Sequence, residues 1–84
     1  SLSTYRSTVQ RLQQEIAQLL KQRSDETKRE ADKHQRIMQV KTSITKSTPM
    51  SVILSKERDI ARFTQELAQI QSKQAEIDRK LADK

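Results

Sequence analysis

Glycine and cysteine are absent from this chain, proline occurs once, and only two aromatic side chains, Tyr5 and Phe63, appear in 84 residues. Each absence removes a class of protein. Without glycine there is no phosphate-cradling loop of the nucleotide-binding kind, because those turns need a position free of Cβ. Without cysteine there are neither disulfides nor thiolate metal sites, so packing alone must hold the fold. Hydrophobic residues make up 32% against 33% charged, too little bulky apolar material for a globular core but enough for a narrow helical seam. No run approaches the ~18 consecutive apolar residues of a membrane-spanning helix, and no apolar stretch follows a basic start as in a signal peptide. A soluble, cytoplasmic segment is the expectation.

What the chain does have is heptad spacing. Leu2, Tyr5, Val9, Leu12, Ile16 and Leu19 alternate steps of three and four, as the seam of a supercoiled helix requires. Beyond Pro49, Ile53, Ile60, Phe63, Leu67, Ile70, Ile77 and Leu81 fall on the same repeat. The expected fold class is all-α: an antiparallel helical hairpin of coiled-coil type, with a first helix over about 3–45, a turn at about 46–48 and a second helix over about 49–83. Ser3 or Thr4 is the expected first cap. Thr48 should cap the second helix, with Pro49 at its first position, where the missing N–H costs nothing. The hydroxyl-rich and β-branched stretch Lys41–Ser47 favours a break. Facing residues then have numbers adding to about 94 or 95. A single kinked rod passing through Pro49 is the other arrangement open to this sequence. Because the chain starts without methionine and its apolar pattern runs on through Leu81 and Ala82, it is expected to be a piece of a longer protein.

The middle of the first helix is thin. Extending its seam by sevens brings in Arg23, Glu26, Glu30 and Lys33 before Ile37, Val40 and Ile44 restore apolar character. A shifted stripe through Leu20, Thr27, Ala31, His34 and Met38 offers a way round the charges. Opposite lie Ile60, Phe63, Leu67 and Ile70, each worth about 1.5–3 kcal/mol if fully buried. A second copy is therefore expected to cover them, giving a homodimeric four-helix bundle. Its predicted dimer interface is Leu12, Ile16, Leu19, Ile60, Phe63, Leu67, Ile70 and Ile77. Ala61, Ala68, Ala75 and Ala82 each follow a seam position. They either widen the nonpolar face for a second neighbour or serve as good helix formers at the surface. Gln74 is a polar seam residue, fixing register or sitting in a solvated gap.

No constellation supports catalysis. His34 is the only histidine and lacks partners at metal-ligand spacing, so neither a metal nor a cofactor is expected. The net charge of +6 raises nucleic acid as a partner. Its excess lies in residues 21–46, with eight basic against four acidic side chains. The acids are interspersed and there is no aromatic stacking platform, which makes a basic, duplex-binding coiled coil the second reading and self-association the first.

The run STPMSVILSKERDI over residues 47–60, with the helical sequence that follows it to Lys84, resembles the N-terminal coiled-coil region of bacterial proteins that carry a Toll/interleukin-1 receptor (TIR) domain further along. The stretch Ser55-Lys56-Glu57-Arg58-Asp59-Ile60 carries the likeness. It implies a segment that pairs or clusters its parent chain, and no catalytic position is carried onto these residues.

Overall fold

The computed structural model describes residues 1–84 as two helices, α1 over Leu2–Thr42 and α2 over Met50–Ala82. A continuous helix of this length would reach about 126 Å. The molecule measures 73 × 15 × 13 Å, so the chain folds back on itself as a hairpin.

Both helices run without interruption because no glycine or proline falls inside them. Ser1, one turn earlier than expected, caps α1 by accepting a hydrogen bond from the Thr4 N–H at 3.3 Å. At the other end the hydroxyls take the last carbonyls. Thr42 Oγ1 donates to Gln39 O at 3.1 Å and Ser43 Oγ to Val40 O at 2.6 Å, which ends α1 at Thr42 rather than near residue 45.

The connection spans residues 43–49, longer than the predicted turn. Thr48 Oγ1 accepts from the Thr45 N–H at 2.8 Å while the Thr48 N–H donates to Thr45 O at 3.1 Å. Thr48 is thus spent inside the turn, and Pro49 stands at the N-cap of α2 in extended conformation, φ −60° and ψ 149°, with its carbonyl accepting from the Val52 and Ile53 N–H groups. No residue has a positive φ. Reversal needs no left-handed position, which is why a chain without glycine can make it.

Four cross-links fix the register. Lys56 meets Ser43, Glu66 meets Lys33, Asp78 meets Arg23 and Lys84 meets Glu15. The partners' numbers add to 99–101 in each case, about five more than the expected register. The longer turn is the cause: α1 stops early, so α2 starts beyond its end and passes the turn before meeting it. Lys56 closes this junction, donating to Ser43 O at 3.2 Å and Ser43 Oγ at 2.6 Å and placing a cation at the negative end of α1. At the opposite end, Lys84 reaches only as far as Glu15, leaving Leu2 and Tyr5, each 66% exposed, on an overhang of α1.

Candidate interaction surface

The residues predicted to pair two copies fall into two groups. Phe63, Leu67, Ile70 and Ile77 are buried, Ile77 almost completely at 1% exposure. Leu12, Ile16, Leu19 and Ile60 are half-buried. All but Leu12, which lies just past the end of α2, are on the seam between α1 and α2 of one molecule. The expectation that α1 is too thin to cover α2 is therefore corrected: a second copy cannot reach the four buried side chains without opening the hairpin.

Nor does α1 use the shifted stripe. Leu20, Thr27, Ala31, His34 and Met38 are all exposed, whereas Glu26 is buried and Glu30 and Lys33 are half-buried. The straight heptad is kept through its charged stretch. Long side chains make this workable, because their aliphatic stems cover apolar surface while the charged ends reach out to partners. Lys33 Nζ meets Glu66 Oε2 at 2.6 Å, off the hydrogen-bonding axis. Arg23 Nε meets Asp78 at 2.7 Å, and Glu26 accepts from Arg29 at 3.1 Å. Lys33, Arg36 and Arg62 surround Phe63, their cations 5.5, 6.0 and 5.0 Å from the ring centre, within range of cation–π attraction. The aromatic ring is covered by cations where an apolar neighbour was expected.

Three carboxylates titrate below the ordinary value of 4.5. The Lys33 ammonium lowers Glu66, helped by the charges of Arg62 and Arg36 against partial desolvation. Lys84 lowers Glu15, with a smaller contribution from Arg11, and Lys80 followed by Lys73 lowers Glu76. Each is an ion-pair effect. None lies in a water-excluding cleft with a second convergent group: the Glu66 and Glu15 pairs tie the two helices together, and the Glu76 pairs run along α2 alone.

The two flanks of the hairpin differ. In an antiparallel pair the same side of each helix lines the same flank, and here one flank carries Glu15, Arg29, Asp32, Arg36, Asp59, Glu66, Lys73 and Glu76. Eight of the nine ion pairs involve a residue of that flank. Arg23–Asp78 is the exception. The other flank is almost without charge. His34 is exposed on it, and no three His, Asp or Glu side chains anywhere converge to hold a metal ion. No helix is long and apolar enough to cross a membrane.

The chain matches no family model, no curated protein and no solved structure. The likeness of residues 47–84 to TIR-linked coiled coils rests on those residues alone.

Proposed function

We propose that this chain is an oligomerisation and spacing module: a helical hairpin that pairs with a second copy and thereby brings together whatever is joined to it. One observation carries the reading. A compact protein of 9.8 kDa exposes about 5,200 Å², whereas this hairpin exposes 6645 Å². The excess of about 1,400 Å² is more than the ~800 Å² that a stable interface removes from each partner. Binding, not catalysis, fits a surface with no enclosed cavity. If the parent carries a TIR domain, as the sequence resemblance implies, pairing would raise the effective concentration of those domains without new contacts between them.

Sedimentation equilibrium from micromolar to hundred-micromolar concentration tests this directly. A mass of twice 9.8 kDa is the expected result, and a monomer throughout overturns the reading. A second reading rests on Lys21, Lys28 and Lys41 of α1 and Lys46 of the turn, which lack acidic partners while most other basic residues of α1 are paired. It predicts duplex binding that weakens steeply with salt. An absence of duplex binding at low salt removes it.

A further inference from the structure

We infer that the copies pair through the uncharged flank of the hairpin, packing α1 and α2 of one molecule side by side on those of the other. This rests on the self-association proposed above and names the surface responsible. The register places small residues of the two helices level with one another, Ala17 beside Ala82 and Ala31 beside Ala68, and sets Met38 beside Ala61. All are exposed. The alanines of α2 and the stripe of α1 that avoids the seam thus form one continuous face.

Charge distribution singles out this face. Between Ala17 and Met38 on α1, and between Ala61 and Ala82 on α2, Asp78 is its only charged side chain, and Arg23 neutralises it at 2.7 Å. A chain of net charge +6 repels its copy unless the surfaces brought together are neutral, and the opposite flank is dense in ions. Using that flank instead would take its many ion pairs out of water.

Two hydroxyls of the face are satisfied internally. Thr27 Oγ1 donates to Arg23 O at 3.0 Å and Thr64 Oγ1 to Ile60 O at 2.7 Å, so each hydroxyl bonds within its own helix and needs no water. Leu20 and Met38 stand on the same face 51% and 62% exposed, giving knobs beside the alanine hollows. The charge-free stretch, about 32 Å long, and the 15 Å width of the hairpin give a footprint of roughly 480 Å², over half of the ~800 Å² per partner of a stable dimer.

The test introduces charge where the single hairpin tolerates it. Ala31→Glu with Ala68→Glu alters two exposed sites with a good helix former, so helicity by circular dichroism should stay constant while the dimer dissociation constant rises more than about 100-fold. Gln22→Glu with Gln69→Glu adds the same charge on the opposite flank and should leave the dimer intact. A wild-type chain that is monomeric overturns the function proposed above. A dimer that survives the alanine pair overturns only this face. Small-angle scattering of the wild-type dimer gives a check independent of any variant: a maximum dimension near 73 Å is expected, and one beyond about 100 Å, from hairpins joined end to end, overturns the side-by-side arrangement.

Discussion

Lys33 of α1 and Glu66 of α2 meet at 2.6 Å across the hairpin, and the same ammonium lies 5.5 Å from the centre of the Phe63 ring. A charged residue in a seam position thus links the helices electrostatically and covers the main aromatic of the core. The pair remains partly wet, with side-chain exposures of 23% and 37%, so its coupling should be modest. A double-mutant cycle of Lys33→Met and Glu66→Gln, followed by urea unfolding, should show a small favourable coupling. Zero coupling would show that the contact adds nothing beyond packing of the lysine stem.

Acid should weaken the hairpin through the same carboxylates. Glu66, Glu15 and Glu76 have folded-state pKa values below the ordinary 4.5. Groups depressed on folding contribute stability that is present above the unfolded value and lost as pH falls through the folded one. The thermal midpoint should therefore hold steady from pH 7 to about 5 and decline below about 4.5. Glu66→Gln should reduce the steepness of that decline. A midpoint that rises on acidification would contradict the ion-pair assignment.

Ile77 and Leu20 separate the inside of the hairpin from its surface. At 1% exposure, Ile77→Ala should cost the single hairpin about 2–4 kcal/mol. Leu20→Ala, at a site 51% exposed, should change the stability of that monomer by no more than about 0.5 kcal/mol. Unfolding measured below the dissociation concentration keeps the two effects distinct.

The absence of native cysteine makes the register easy to read. Lys33→Cys with Glu66→Cys should be bridged rapidly by a short bifunctional maleimide within one chain. Ile16→Cys with Ile77→Cys, neighbours under the shorter-turn register, should react far more slowly. The reverse order would restore that register.

The hairpin was legible because a repeat of seven marks which residues face inward, and Pro49 with its hydroxyl-rich approach marks the break. Register was not. It depends on whether Thr42, Ser43 and Thr48 spend their hydroxyls ending α1 and tying the turn, a contest between local hydrogen bonds that apolar spacing does not record. The charged middle of α1 was misread for a related reason. Periodicity treats Glu26, Glu30 and Lys33 as polar points, whereas their stems are long enough to cover apolar surface, and Glu26 and Lys33 still deliver their charges to Arg29 and Glu66. The exposed alanines were visible as a repeat, but only the observed register brings Ala17 and Ala31 level with Ala82 and Ala68 to make a face.

Ser1 and Lys84 emerge toward the same pole of the rod, with the turn at the other and Lys84 set back by about 20 Å. Cargo fused to either terminus would leave in one direction. Two hairpins laid parallel would gather such cargo at a single point, and laid head to tail they would hold it at opposite ends of a strut about as long as the molecule itself.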